Sequence, residues 1–333
     1  MHSDSPNPMR RFHLIESADL PARPVTGWVW HGYLPRGRTV LLSGLWKCGK
    51  TTLVSLLLRR MAGGGTVAGH AVAPGRAVVV SDENEGLWAG RHRRLGFGPN
   101  VRFLCQPFDG APTQADWQAI VDNLMMLRGP QGLDLVVIDS LVSFLPGSES
   151  DARVIQEFFH ELRRLTALGT CVFILHHPRT AKSARGQTAR GHRILTRSAD
   201  VVLELEWAGP PESDDRRRRL WAFSPFAETP PRKMIELSID HRDYACRGDF
   251  APDDFRGPTS VLLVLERATR ELNIDEILSA WPSNARRPHR GTLARWLARA
   301  VDASRIQRTG TGRKNHPYLY SMPRGSVPLT SAV

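Results

Sequence analysis

The sequence predicts an α/β protein with a mostly parallel sheet, because short apolar segments alternate with longer amphipathic ones. The short segments are apolar throughout, which is typical of strands buried on both faces. The longer segments repeat apolar residues at helical spacing. After Trp207 the pattern changes to two strands joined by a polar turn, which predicts an antiparallel hairpin at the sheet edge.

The predicted elements follow one another regularly. Strands are predicted over 38–44, 75–84, 101–108, 133–141, 170–177 and 199–206, and helices over 50–61, 85–96, 114–127 and 151–169. The last helix ends at Gly169, a residue type that favours helix termini. The segments "LWAFSP" and "KMIELSID" form the edge hairpin.

Changes in composition predict the domain boundaries. The chain divides into a lead segment (1–36), an α/β domain (37–245), a linker (246–259), a small helical domain (260–323) and a flexible tail (324–333). The stretch "VTGWVWHGYLPRG" in the lead segment carries two tryptophans, and we expect it to pack on the edge of the α/β domain.

Composition excludes several classes of protein. No apolar run approaches the ~18 residues that a membrane-spanning helix needs. The first residues lack the apolar core of a secretory signal. Four cysteines, Cys48, Cys105, Cys171 and Cys246, lack the spacing of a disulfide framework or a zinc site. We therefore expect a cytoplasmic protein that does not bind a membrane.

The charge is strongly positive and unevenly distributed. The net charge is +12, and the residues from Pro258 to Val333 carry 12 Lys/Arg against 5 Asp/Glu. A concentrated positive field favours a polyanionic partner, which here predicts DNA. Part of the excess is compositional, since arginine outnumbers lysine by 40 to 5 over the whole chain.

The stretch "GLWKCGKTT" has the spacing G-x-x-x-x-G-K-T between a predicted strand and a predicted helix. Glycines there let the backbone curl around phosphates, Lys50 reaches the β- and γ-phosphates, and the Thr51 hydroxyl binds Mg²⁺. The sequence therefore predicts a site for ATP and Mg²⁺. Its predicted nucleotide-binding residues are Gly44, Leu45, Trp46, Lys47, Cys48, Gly49, Lys50, Thr51 and Thr52.

Carboxylates follow two of the predicted strands. Asp139 ends "LDLVVID" and is the predicted second Mg²⁺ ligand, with helix capping as the alternative. Asp82, Glu83 and Glu85 follow "VVVS", and we expect that strand to adjoin the strand before Gly44. A carboxylate at this point orients the attacking water, unless the acidic loop is simply solvated.

Over residues 27 to about 245 the motifs together resemble the RecA-like P-loop ATPases of the RepA type, AAA family ATPases related to KaiC and DnaB. The resemblance implies that Glu83 is the catalytic glutamate, with Asp82 as second choice. "FILHHPR" is similar to the strand that ends in a γ-phosphate sensor, which points to His176, with His177 beside it. A buried structural histidine is the alternative.

The resemblance also implies a homo-oligomer, for which a hexamer is one form. The segment 186–205 is similar to the loop that lines the central channel in relatives and predicts a DNA contact at Arg193. Relatives carry "RGSSAL" where this chain has "RGHRIL", so the loop's function is open. Arg190, Arg193, Arg197 and Arg216–Arg219 are candidates for an arginine that acts on the neighbouring subunit's site.

The order of elements from residue 260 predicts a winged-helix domain: three helices, then two strands around a glycine-rich turn. Arg295 and Arg299 lie on the polar side of the third helix, and Arg313 and Lys314 near the tip of the hairpin. These residues predict DNA contacts, with protein contacts as the alternative.

The combined expectation is a DNA-associated ATPase, either a hexameric helicase or an accessory motor of replication or recombination. The alternative is a regulatory nucleotide-switch ATPase or scaffold that does not translocate.

Overall fold

The computed structural model describes residues 17, 27–178, 193–209, 214–250, 259–282, 287–302, 304–313 and 316–323. The chain divides into two compact units, Met1–Phe250 and Ala251–Val333. The predicted tail 324–333 and residues 251–258 of the predicted linker lie outside the described residues.

The elements are numbered in chain order. The strands are β1 (Trp28–Trp30), β2 (Leu34–Pro35), β3 (Thr39–Ser43), β4 (Gly65–Val67), β5 (His70–Val72), β6 (Ala77–Ser81), β7 (Val101–Cys105), β8 (Leu135–Asp139), β9 (Cys171–His176), β10 (Val201–Trp207), β11 (Arg217–Phe223), β12 (Arg232–Leu237), β13 (Tyr244–Cys246), β14 (Gln307–Thr309) and β15 (Leu319–Ser321). The helices are α1 (Lys50–Arg60), α2 (Glu85–Leu95), α3 (Gln114–Arg128), α4 (Leu141–Phe144), α5 (Ala152–Thr166), α6 (Arg193–Ser198), α7 (Thr259–Arg267), α8 (Ile274–Ser279) and α9 (Arg290–Asp302). Among these helices, none combines the length and the apolar character required to cross a bilayer.

Within the described residues, nine strands form one large sheet in the order β13-β12-β11-β10-β3-β9-β8-β6-β7. The strands from β10 to β7 pair in parallel, and β10 to β13 pair antiparallel. The predicted α/β class with a mostly parallel sheet is confirmed. The antiparallel edge contains β13 in addition to the two predicted strands, and we call β11–β13 the edge strands.

The expected adjacency of β6 and β3 is wrong. Two strands, β9 and β8, lie between them, because the chain crosses over to the far side of the sheet before it returns. The strands β9 and β10, which flank β3, are buried along most of their length. The carboxyl ends of β3, β9, β8 and β6 still share one edge of the sheet, since all are parallel.

Helices cover both faces of the parallel region. On one face α3 and α5 pack on β8 and β9, and the rings of Trp117 and Phe158 stack with centroids 4.2 Å apart. On the other face, α1 presents its buried leucines to β3 and β10. Helix α5 begins at Asp151, whose carboxylate accepts from the Arg153 N–H at 2.8 Å and caps the helix.

A small four-stranded sheet, β2-β1-β5-β4, was not expected from the sequence. The buried Trp30 belongs to the main core of the first unit, and its indole N–H donates to the Val67 carbonyl at 3.1 Å. Residues 28–35 of the predicted lead segment therefore form part of this unit's core. The strands involved are only two or three residues long, which is why no periodic pattern marks them.

The second unit has its own core. In the described part, α7, α8 and α9 pack together and precede the antiparallel pair β14–β15, and Leu272 forms a further bridge to Tyr320. Leu293, Leu297 and Ala300 are buried on the side of α9 that helical spacing predicts.

We predict that Phe158→Ala lowers the free energy of unfolding by about 3–5 kcal/mol, because it removes a fully buried ring and the stack on Trp117. Met126→Ala is the matched control: this side chain is 74% exposed on the neighbouring helix α3 and should change stability by less than about 0.5 kcal/mol. Urea unfolding followed by circular dichroism measures both. Equal midpoints for the two variants would contradict the prediction.

Candidate active site

The phosphate loop, residues 44–51, connects β3 to α1 and lies close to the rest of the backbone. A Cβ on Gly44 would stand 2.5 Å from the Leu205 carbonyl oxygen and 2.7 Å from the Cys48 sulfur, so only glycine fits there. Gly49 precedes α1 with a φ of +103°, a conformation that side chains disfavour. Both glycines of the motif are therefore required by the local backbone.

Lys50 is held inside this loop. Its side chain is 2% exposed, and its Nζ donates to the carbonyl oxygens of Gly44 at 2.5 Å and Leu45 at 3.0 Å. Burial lowers the pKa of the ammonium group, against the opposing charges of Cys48 and Asp139. The cation lies where the motif predicts it, at the centre of the loop, with neutral oxygens as its hydrogen-bond partners.

The other loop side chains differ in exposure. Trp46 is 72% exposed, and the Lys47 Nζ lies 4.1 Å from the centroid of its ring. Lys47 has a φ of +61°, whereas Cys48 is fully buried and burial raises the pKa of its thiol. Leu45 and Thr52 are partly buried. The loop thus presents an aromatic ring and an ammonium group outward and a thiol inward.

Asp139 and Thr51 meet at the carboxyl edge of the sheet. The Thr51 hydroxyl donates to the Asp139 carboxylate at 3.1 Å, as the predicted shared Mg²⁺ site requires. Asp139 is buried, and this raises its pKa to about 7; the charges of Glu83 and Asp82 act in the same direction, and the Thr51 hydrogen bond opposes them. A cis peptide bond joins Asp139 to Ser140.

The two acidic residues after β6 have different partners. Glu83 forms a two-pronged ion pair with Arg91, eight residues further along on α2, with one of the N–O distances at 2.9 Å. The Arg91 guanidinium also lies 4.5 Å from the Trp88 ring centroid. Asp82 instead accepts from the hydroxyls of Ser140 and Ser143. Arg91 was not singled out from the sequence, because side-chain neighbours on a helix are three or four residues apart and these two are eight apart.

The structure favours His177 over His176 as the histidine of the site. His176 is fully buried, with Nδ1 3.4 Å from the Ser43 hydroxyl and Nε2 3.4 Å from the Glu149 carboxylate. It therefore matches the alternative of a buried structural histidine. His177 is partly exposed, and its pKa is lowered by burial and then by the nearby charge of Lys50. Because all of β9 is buried, alternation could not show which histidine faces the loop.

Two residues of the edge strands contact the phosphate loop. Arg218 on β11 donates from Nε to the Cys48 carbonyl at 2.9 Å. The Tyr244 hydroxyl on β13 would stand 2.9 Å from a Cβ on Gly49. Arg218 is one of the arginines predicted to act on a neighbouring subunit; within the chain it is buried against the phosphate loop.

Comparison with protein families agrees with this geometry. A family model described as an AAA domain matches residues 5–183, just over half of the chain. The chain belongs to the AAA domain family. This is a family of AAA-type P-loop ATPases, which supports nucleotide binding by this protein. No curated protein matches the chain.

The AAA domain contains the phosphate loop, both strand-end carboxylates and His177, whereas Arg218 lies beyond the matched residues. The residues present fit a Mg²⁺–nucleotide: a glycine cradle, an enclosed ammonium group, and a hydroxyl beside a carboxylate. In the described part of the chain, no group of three His, Cys, Asp or Glu side chains is placed to hold a metal ion. Phosphate oxygens and water would complete the coordination of Mg²⁺.

The predicted DNA-contact residues are only partly described. Arg295 is exposed on α9 and donates to the Gly291 carbonyl at 3.3 Å, and Arg313 is exposed beside the turn of β14–β15. Lys314 and the side chains of Arg193 and Arg299 lie outside the described residues, as do residues 186–192 of the predicted channel loop. On β14, Arg308 stacks on Tyr318 at 4.5 Å.

The pKa of Asp139 generates a prediction about stability. An aspartate in the unfolded chain titrates near 3.8, whereas the buried carboxyl titrates near 7. The protonated group therefore contributes stability at low pH that is lost as the pH rises through 7. Asparagine does not titrate. The free energy of unfolding of Asp139→Asn, relative to that of the wild type, should therefore rise by about 1.4 kcal/mol per pH unit between about pH 5 and pH 7 and remain constant above pH 7.

Denaturant unfolding of both proteins, without nucleotide and with a metal chelator, measures this difference. A difference that does not vary with pH would mean that Asp139 is ionised throughout, and would contradict the prediction. Thr113→Ala, which removes a distant exposed helix cap, is the control and should shift stability equally between about pH 5 and pH 7, since the Asp116 carboxyl that Thr113 binds titrates below this range.

Proposed function

We propose that the protein is a DNA-associated ATPase of the RecA-like, RepA-type class that binds ATP with Mg²⁺ and hydrolyses it. One observation carries the proposal: the ammonium group of Lys50, the hydroxyl of Thr51 and the carboxylate of Asp139 converge at the edge of the sheet where Glu83 also lies. A cation, a metal-binding pair and a base in one place are what phosphoryl transfer to water requires.

Each residue has a role in this proposal. The backbone N–H groups of the loop and Lys50 bind the phosphates. Thr51 and Asp139 would hold Mg²⁺, which would supply positive charge to the phosphoryl group during transfer. Glu83 orients the attacking water, and His177, neutral at pH 7 because its pKa is lowered, donates a hydrogen bond to the γ-phosphate.

We further propose that the active form is a homo-oligomer, with a hexamer as the expected form. Three arginines of the run considered for a role in trans have partners within the chain: Arg216 with Glu236, Arg217 with Asp215, and Arg218 with Cys48. The remaining described candidate with an exposed side chain is Arg197 on α6, which lies within the predicted channel loop, 186–205.

The second unit supports the DNA association. Three helices followed by a two-stranded hairpin, with a bridge from Leu272 to Tyr320, match the winged-helix arrangement. Arg295 on the third helix and Arg313 on the hairpin are exposed, and these are the elements that contact DNA in such domains.

A second candidate function is a regulatory nucleotide switch that does not translocate. The Arg91–Glu83 pair favours it, because both oxygens of the proposed base are occupied and basal turnover would be slow. In this case nucleotide binding alone would change the partners of the protein.

We predict that Lys50→Ala weakens ATP binding at least about tenfold, because the loop loses its buried cation. Glu83→Gln should retain binding and lose hydrolysis by about a hundredfold or more, because the amide cannot orient and deprotonate water. Calorimetry with a non-hydrolysable analogue and a phosphate-release assay measure the two effects.

Asp82→Asn is the matched control for Glu83→Gln, since Asp82 is bound by two serine hydroxyls nearby. If Asp82→Asn abolishes hydrolysis and Glu83→Gln leaves it intact, the base is Asp82 and the assignment of Glu83 fails. Failure of the wild type to bind ATP would overturn the proposed function itself.

We predict that DNA accelerates ATP hydrolysis. We also predict that the double variant Arg295→Ala, Arg313→Ala binds DNA more weakly. The slope of its log binding constant against log salt concentration should be smaller by about one unit per lost phosphate contact. Arg153→Ala, an exposed arginine on α5 of the first unit, is the control. Strand displacement by the wild type would favour the motor, and stimulation without displacement the switch. DNA binding unchanged in the double variant would contradict the assigned contacts.

A further inference from the structure

Arg218 is an unusually placed arginine. Its side chain is 7% exposed and lies behind the phosphate loop, with the guanidinium 3.6 Å from the ring centroid of Trp207. Nε donates to the Cys48 carbonyl at 2.9 Å, and Nη1 donates to the carbonyls of Asp215 and Arg217, both at 2.8 Å. The guanidinium is thus fixed from three sides, and one of its contacts is with the loop itself.

The hydrogen bond to the Cys48 carbonyl sets the orientation of the Cys48–Gly49 peptide group. In a trans peptide the C=O and the following N–H point in opposite directions. Because Arg218 binds the Cys48 carbonyl, the N–H of Gly49 points away from the edge strands, toward the side of the loop that these strands leave open. Within the described residues this N–H donates to no backbone carbonyl. It is therefore available to an anion at the amino end of α1.

The charge of Arg218 also favours an anion on the loop. The hydrogen bonds that the described residues provide for it go to carbonyl oxygens, and the adjacent Asp215 carboxylate is engaged by Arg217 through both oxygens. Burial lowers the pKa of the guanidinium, although an arginine remains protonated at neutral pH. A buried cation is costly, and negative charge nearby offsets that cost.

We propose that Arg218 is a positioning residue for the phosphate groups of the nucleotide bound by its own subunit. It fixes the Cys48–Gly49 peptide so that the Gly49 N–H faces the phosphates, and its buried charge favours their negative charge. Nucleotide affinity then depends on the edge strands, which lie outside the matched AAA domain. The proposal rests on the proposed nucleotide site.

Arg76 provides a matched control. It also donates to carbonyl oxygens, those of Leu127, Arg128 and Gly132, but it lies just before β6, at the opposite edge of the sheet from the phosphate loop. Arg76→Gln should therefore cost stability for the same physical reason as Arg218→Gln, and it should leave the phosphate loop unchanged.

The experiment compares wild type, Arg218→Gln, Arg218→Lys and Arg76→Gln by calorimetry with a non-hydrolysable ATP analogue and with adenosine, below the melting temperature of the least stable variant. Arg218→Gln should weaken binding of the analogue by about tenfold or more and binding of adenosine much less. Arg218→Lys, which keeps the charge and a donor, should restore part of the affinity. In hydrolysis, KM for ATP should rise more than kcat falls.

The outcomes are distinguishable. A wild type that binds no nucleotide would overturn the proposed function and this inference together. A wild type that binds, with unchanged affinity in Arg218→Gln, would overturn the inference alone. Equal losses of affinity in Arg218→Gln and Arg76→Gln, or equal losses for the analogue and adenosine, would reduce Arg218 to a general support of the fold and would also overturn it.

Discussion

The structure of the site depends on close backbone contact between the phosphate loop and β10, a strand that lies much further along the chain. Gly44 lies so near the Leu205 carbonyl that no side chain fits between them, and its N–H donates to the His176 carbonyl. The loop is therefore fixed by β9 and β10, the two neighbours of β3, and not by its own sequence alone. The positions of Lys50 and Thr51 at the start of α1 follow from this constraint.

The charged groups of the site have partners within the chain, although those of Lys50 are carbonyl oxygens. Lys50 binds loop carbonyls, Glu83 binds Arg91, and the buried Asp139 has a pKa near neutrality. Each of these charged groups thus has a partner or a proton that a magnesium nucleotide would replace. Exchange of these partners for a nucleotide would place negative charge beside the buried cations Lys50 and Arg218, which offsets the cost of burying them. The availability of Glu83 therefore also depends on α2, the largely exposed helix that carries Arg91.

The sequence predicted the fold class and the phosphate loop because both depend on local patterns: apolar strands, helical periodicity and a motif of fixed spacing. It also paired Thr51 with Asp139, since parallel strands bring their carboxyl ends together. It could not predict the contact of Arg218 with Cys48, because the two residues are 170 positions apart and no pattern links them. The resemblance pointed to His176 by position, and since a fully buried strand does not alternate, no pattern showed which of His176 and His177 faces the loop. The small sheet was missed since its strands are too short to show a period.

The strand order has a consequence for how the chain acquires its structure. Strand β3 spans Thr39–Ser43, but the two strands that pair with it begin only at Cys171 and Val201. The strand that precedes the phosphate loop therefore leaves the ribosome early, and more than a hundred residues follow before its partner strands are synthesised. Such non-local pairing makes folding slow and leaves an apolar strand exposed to chaperones or to aggregation in the meantime. The centre of the sheet is thus completed only after β6, β7 and β8 at its far side have been synthesised.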